Sequence, residues 1–340
     1  MMKPSLARIA TRAEALAGAL AALRRPAKLD LAGKVAVVTG GSRGLGLVLA
    51  RELVAHGVRV ALCARDVAEL ERARADLESR GGDVVALACD VTKRADIEGA
   101  VADARWRLGP IDILICNAGV IQVGPMELMT DDDLETALAT HVWAPHHAAR
   151  AVLADMRERG GRIVNVASVG GKIAVPHMLP YSTSKFALVG LSEGMRVELA
   201  KHGVLVTTVV PGLMRTGSPM HARFKGNLRA EYGWFAASDS LRATSMSADR
   251  AAKKIIAAMR RGDPEVVLSV QAKLATTLAA LAPGLVQRAL AVVDRLLPAA
   301  PTGDHDDREH ATAGAPGSEL GPAPMLARAT DRAARHNNEL

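Results

Sequence analysis

Aromatic residues are scarce in this chain. They make up 2% of its 340 residues, as three Trp, two Tyr and three Phe. A packed core must therefore be built from aliphatic side chains, which the 49% hydrophobic content supplies. Cysteine is also scarce: Cys63, Cys89 and Cys116, each closing an apolar run. An odd count without CxxC spacing argues against a disulfide framework or a zinc site, and favours buried, reduced thiols and a cytoplasmic setting. No apolar stretch reaches the roughly 18 residues that cross a bilayer. The net charge of +7 is scattered, with no run of five Lys or Arg, so no nucleic-acid partner is expected. No histidine or carboxylate cluster has ligand spacing, so no metal is expected. His146 and His147 are adjacent and point to different helix faces. Asp131, Asp132 and Asp133 read as charge at a helix start.

From Lys34 onward, short apolar runs alternate with longer helical patterns. Val35–Val38, Val58–Cys63, Val84–Cys89, Ile111–Cys116, Ile163–Val166, Leu205–Val210 and Val266–Val270 read as strands. The runs are continuous, as in parallel strands covered on both faces. Leu45–Ala55, Val67–Ser79 and Ser182–Lys201 read as helices. The expected fold class is α/β, a Rossmann-like doubly wound sheet of about seven parallel strands. Around a catalytic domain over 33–270 the pattern places an N-terminal helical extension (1–32) and amphipathic C-terminal helices (271–298). A tail from 299 to 340 lacks periodicity, and its composition predicts disorder. The helices break at Pro283–Gly284 and carry an apolar stripe. Packing or oligomerisation is the preferred reading of that stripe, with membrane-surface contact through Lys273, Arg288 and Arg295 as the rival.

The first strand runs into Thr39-Gly40-Gly41-Ser42-Arg43-Gly44-Leu45-Gly46, and a helix follows. Glycines let the backbone approach a pyrophosphate, and the helix start offers free N–H groups. After the second strand stands Arg65, followed by Asp66. With Arg43, it favours the 2′-phosphate of NADP(H). Asp66 keeps NAD(H) as the alternative.

Tyr181 and Lys185 lie four residues apart on a helical pattern, with Ser168 upstream. That spacing puts both side chains on one helix face. A phenol is a weak acid, with pKa about 10, and a nearby ammonium favours its ionised form. A serine hydroxyl beside it can hydrogen-bond a carbonyl or alkoxide oxygen.

Together these motifs resemble the short-chain dehydrogenase/reductase family over about Leu31 to Val270. The cofactor loop Thr39–Gly46, the pair Asp90-Val91, the Asn117-Ala118-Gly119 motif, Ser168 with Tyr181 and Lys185, and Pro211-Gly212 with Thr216 all fit its pattern. The resemblance implies an NAD(P)-dependent oxidoreductase, usually dimeric or tetrameric. Tyr181 would be the acid in carbonyl reduction and the base in alcohol oxidation. Lys185 would lower its pKa and hold the nicotinamide ribose, and Ser168 would orient the reacting oxygen. Where the family often has a fourth catalytic residue, an asparagine, this chain has His141. His141 is expected to take part in proton transfer and to add a pH dependence near 6 to 7. A structural hydrogen bond is the competing reading.

Phe224, Tyr232, Trp234 and Phe235 fall in a stretch that would cover the substrate (about 213–247) and suggest a hydrophobic carbonyl or alcohol. The alternatives are a 3-oxoacyl-thioester reductase and a nucleotide-binding scaffold with little turnover.

Overall fold

The computed structural model describes residues 27–240, 245–300, 311–312, 334 and 336–339. The helix expected near the N-terminus lies outside the described residues.

Seven strands form one parallel sheet. They are β1 (Val35–Thr39), β2 (Arg59–Ala64), β3 (Val84–Ala88), β4 (Ile113–Cys116), β5 (Gly161–Val166), β6 (Val204–Val210) and β7 (Glu265–Val267). Their order across the sheet is β7-β6-β5-β4-β1-β2-β3. The valine-rich runs form strands because β-branched side chains suit a pleated surface covered on both faces. Every residue of β1, β4 and β5 is buried.

Helices cover both faces. On one side α1 (Gly44–Val54), α2 (Val67–Ser79) and α8 (Ala248–Arg261) bury Leu49, Leu70 and Ile255 against β1 and β2. On the other, α3 (Arg94–Leu108), α5 (Ala144–Arg159) and α6 (Leu179–Leu199) pack through Val101, Val152 and Leu199. Helix α4 (Asp131–Leu138) runs through a π-helical turn, Ala139–Trp143, into α5. Thr130 and Asp133 form a capping box at its start, as the acidic run suggests.

The crossover direction reverses between β1 and β4. In doubly wound sheets the ligand crevice opens at that switch, beyond the carboxyl ends of the strands. The segment after β6 folds over this end. Within it Arg223–Phe224 pairs with Gln122–Val123 and with Ala311–Thr312, and α7 (Leu228–Ser240) lies alongside. Helices α9 (Val270–Leu281) and α10 (Pro283–Asp294) follow β7.

Within the tail for which composition predicts disorder, Asn337 and Glu339 are buried against the sheet's carboxyl end. Composition registers the missing apolar stripe. It does not register polar side chains and backbone that hydrogen-bond to waiting N–H groups.

The three cysteine thiols are all buried. Burial raises the pKa of each, that of Cys116 to about 12 and that of Cys89 to about 11, so the thiolate is disfavoured.

Candidate active site

A cleft of about 450 Å³ opens at the switch point. The glycine loop forms its floor. Gly40 has φ +63, and a Cβ there would sit 2.8 Å from the Ala118 Cα. At Gly46 a Cβ would collide with the Gly40 carbonyl oxygen. Only glycine permits this turn. Asn117 holds it from β4: its Nδ2 donates to the Gly40 carbonyl at 3.0 Å, and its backbone N–H donates to Thr39 Oγ1 at 3.1 Å. Thr39 and Gly46 brace the loop from behind. The other loop residues expected to bind cofactor line the cleft, as do Arg65, the Asp90-Val91 pair, the Asn117–Gly119 segment, Pro211, Gly212 and Thr216. A glycine cradle leading into the start of α1 fits a dinucleotide pyrophosphate.

The ribose end is more crowded than the sequence suggests. Arg43 Nη1 is 2.6 Å from Glu69 Oε1, and Ser42 Oγ donates to Glu69 Oε2 at 2.9 Å. Glu69 carries no motif signal and was not foreseen. Asp66 is occupied as the N-cap of α2, accepting from the Glu69 N–H at 2.8 Å. Arg65 faces the cleft.

Ser168, Tyr181 and Lys185 come together on the opposite wall. Pro180 opens α6, where its missing N–H costs nothing. A Cβ added at Gly170 would lie 3.0 Å from the Tyr181 ring edge and 3.5 Å from Ser168 Oγ, so both groups flank that glycine. Lys185 Nζ sits 5.7 Å from the Tyr181 ring centroid and donates to the Val166 carbonyl at 2.8 Å. Burial pushes the Lys185 pKa down to about 7, because desolvation disfavours the ammonium.

His141 lines the cleft and meets the Tyr181 ring edge-on, with centroids 5.7 Å apart. It is buried, and both ring nitrogens are engaged. Nε2 lies 3.2 Å from the Val120 N–H and must accept from it. Nδ1 therefore carries the proton and donates to Ser184 Oγ at 2.7 Å. Ser184 in turn donates to the Tyr181 carbonyl at 2.9 Å. Desolvation, then the charge of Lys185, lowers the His141 pKa well below its ordinary value. That direction favours the neutral imidazole and runs against the titration expected near pH 6 to 7. What the residue does is join the π turn, Val120 just past the Asn117–Gly119 segment, and the start of α6.

The aromatics of the covering segment divide. Phe224 and Tyr232 are buried in edge contact, with centroids 5.6 Å apart, and hold the cover together. Trp234 and Phe235 also line the cleft. Trp234 Nε1 donates to Glu231 Oε2 at 2.6 Å, and Glu231 Oε1 meets His177 Nδ1 at 2.8 Å. This buried network ties α7 to the loop that precedes Tyr181.

The chain's own C-terminal residues reach the phosphate loop. The Gly44 N–H, first in α1, donates to the Asn337 carbonyl at 2.9 Å. Glu339 Oε2 accepts from the Gly217 N–H at 2.6 Å. Asn338 Nδ2 donates to the Ser42 and Glu69 carbonyls at 2.8 and 3.0 Å. Burial, the largest influence, raises the Glu339 pKa to about 7.

A family model described as short chain dehydrogenase matches residues 34–225. The chain belongs to that family. Among curated proteins it is 39% identical, over 56% of its length and 71% of the relative's, to a Streptomyces violaceoruber protein named as a ketoacyl reductase of the granaticin polyketide synthase. It is 35% identical to gluconate 5-dehydrogenase of Gluconobacter oxydans, over 57% of this chain and 76% of that one. Among solved structures, a short-chain dehydrogenase from Streptomyces avermitilis superposes with TM-score 0.66 at 31% identity, covering 77% of this chain and 96% of that one. A variant of the actinorhodin polyketide ketoreductase with NADPH gives TM-score 0.61 at 30% identity, over 70% and 95% of the two chains. The fold is the family's Rossmann-like sheet, and the chain is an oxidoreductase of a family that binds NAD(P).

Proposed function

We propose that this chain is an NADP(H)-preferring reductase of an apolar carbonyl compound, or a dehydrogenase of the matching secondary alcohol. The observation that carries it is the convergence of Tyr181, Lys185 and Ser168 on one cleft wall opposite a glycine cradle. The cofactor, when bound, supplies or accepts the hydride. Tyr181 gives a proton to the carbonyl oxygen in reduction and takes one from the alcohol in oxidation. Lys185, held by the Val166 carbonyl, places an ammonium beside the phenol and favours its ionised form. Ser168 Oγ already accepts from the Gly170 N–H at 3.0 Å, which leaves its own proton for the substrate oxygen. Trp234, Phe235 and Met178 give the cleft apolar surface for a nonpolar substrate.

Arg65 and Arg43 support the NADP(H) preference. One observation favours NAD(H) instead: Arg43 is already paired with Glu69. For the substrate, a 3-oxoacyl thioester is the second reading, supported by two relatives named as ketoacyl reductases, each 39% identical. The test is NADPH oxidation with a series of ketones and 3-oxoacyl thioesters, in wild type and Tyr181→Phe. Loss of about 10²-fold or more in kcat with cofactor affinity retained is expected for the variant. Equal turnover by both proteins refutes the role of Tyr181. Equal turnover of small polar and long apolar carbonyls refutes the apolar preference.

A further inference from the structure

Helices α9 and α10 stand off the domain. Helix α9 buries only Ala272, and α10 buries no residue. The stripe expected to pack or to oligomerise faces outward, not onto the domain. Along α9, Val270, Leu274, Leu278 and Leu281 share one face by helical spacing. Along α10 and just past it, Leu285, Val292 and Leu296 do the same. These large apolar side chains are between 49 and 81% exposed. Single exposed leucines are ordinary, whereas a continuous apolar surface marks a contact.

The chemistry of this surface points to lipid. Between Val270 and Val293 there is no acidic residue, while Lys273 and Arg288 stand among the leucines and Arg295 follows. Apolar side chains interleaved with cations suit an anionic bilayer surface. Neither helix has an aromatic residue or a methionine, the types concentrated at the centres of protein interfaces. Between 270 and 293 a second copy would offer these cations no acidic partner. No described helix is long and apolar enough to cross a membrane, and the pair is bent by 118°. Short helices of this kind lie along the interface and do not span it.

The surface adjoins the cleft. Asp294, the last residue of α10, lies 3.9 Å from His177 Nε2. His177 is bonded to Glu231 of α7, and its neighbour Met178 lines the cleft. We infer that α9 and α10 form a docking surface for an anionic lipid bilayer, which brings the covered side of the cleft to the lipid surface. This does not rest on the carbonyl-reductase reading.

The test is co-sedimentation of the full chain with vesicles of phosphatidylcholine alone and of phosphatidylcholine with phosphatidylglycerol, at low and high salt. Two variants accompany it: Leu274→Ser/Leu281→Ser/Leu285→Ser/Leu296→Ser, and Lys273→Ala/Arg288→Ala/Arg295→Ala. The wild type is expected to bind the anionic vesicles. The leucine variant should partition at least about tenfold more weakly, because several apolar side chains no longer leave water. The charge variant should lose the preference for phosphatidylglycerol and the salt dependence. Unchanged dinucleotide binding by the leucine variant shows that its domain is folded; if it is not, the charge variant decides. Wild type that stays in the supernatant, or leucine-variant binding equal to wild type, overturns the inference. So does a light-scattering mass that falls to the monomer in the leucine variant without any vesicle binding, which assigns the surface to a second copy.

Discussion

Removing residues 334–340 should tighten dinucleotide binding, and more so at pH 6 than at pH 8. The tail and a pyrophosphate compete for the same ground, since the Gly44 N–H is taken by the Asn337 carbonyl and the Gly217 N–H by Glu339. Eight hydrogen bonds hold residues 336–339, including Arg51 to the His336 carbonyl and to Asn337, and Arg72 to Asn338. At about 1 kcal/mol net each they contribute about 8 kcal/mol. Ordering four residues with their side chains costs about 6 to 7 kcal/mol. A surplus of about 1–2 kcal/mol remains, which weakens a competing ligand roughly 5- to 30-fold.

The pH dependence follows from Glu339. Its pKa rises from 4.5 in the free chain to about 7 when docked, chiefly through burial. The docked tail therefore binds the extra proton. Docking is strongest below about pH 4.5, weakens about tenfold per unit as pH rises toward 7, and levels off above. Titration calorimetry with NADP⁺, which tolerates mild acid, gives the ratio of full-length to truncated Kd at each pH, and that ratio cancels the cofactor's own titration. A ratio on the order of ten at pH 6 that falls toward one at pH 8 is expected. Glu339→Gln, which keeps the neutral form at every pH, should hold the ratio up at pH 8. Equal Kd for both proteins at both pH values, or weaker binding by the truncated chain, refutes the reasoning.

Glu69→Gln should release Arg43 and shift the ratio of NADPH to NADH affinity toward NADPH by about fivefold or more, read by fluorescence titration. His141→Asn should leave the pH–rate profile between 6 and 7 unchanged, whereas a lost inflection there would restore the relay. His141→Ala should lower unfolding stability by about 1–3 kcal/mol in urea melts, because the Val120 N–H and Ser184 lose a buried partner. Lys185→Met should abolish turnover yet raise the stability of the cofactor-free protein by about 1–3 kcal/mol at pH 7. The lysine has a folded pKa of about 7 against 10.5 unfolded, so its stabilising share is complete only above 10.5 and is lost as pH falls through 7. The gain from Lys185→Met should therefore shrink toward pH 10, and a gain that does not change with pH counts against a lysine whose pKa burial lowers.

What could be read in the chain beforehand was whatever is encoded locally. Seven short apolar runs became seven strands, because a continuous apolar run has few other places to go in a sheet covered on both faces. The glycine loop and the Tyr181–Lys185 pair were legible for the same reason, since turn geometry and helix periodicity are short-range. The parts that stayed hidden depend on neighbours distant in sequence. His141 was visible as a departure, but its charge state is set by burial beside Val120, Ser184 and Lys185. Glu69 looks like an ordinary helix-surface acid until α2 carries it to Arg43. The stripe on α9 and α10 was legible as a stripe, and periodicity says only that such a face needs covering, never by what. Glu339 gave no signal at all, because its partners are backbone N–H groups left free by other elements. That last case bears on the proposed chemistry. A helix start open enough to bind a pyrophosphate is, by the same physics, open to any carboxylate or carbonyl tethered nearby. A tethered competitor acts at an effective concentration set by the length of its chain. The cofactor site and the tail that covers it therefore share one cause, and affinity for the first should be measured with the second both present and removed.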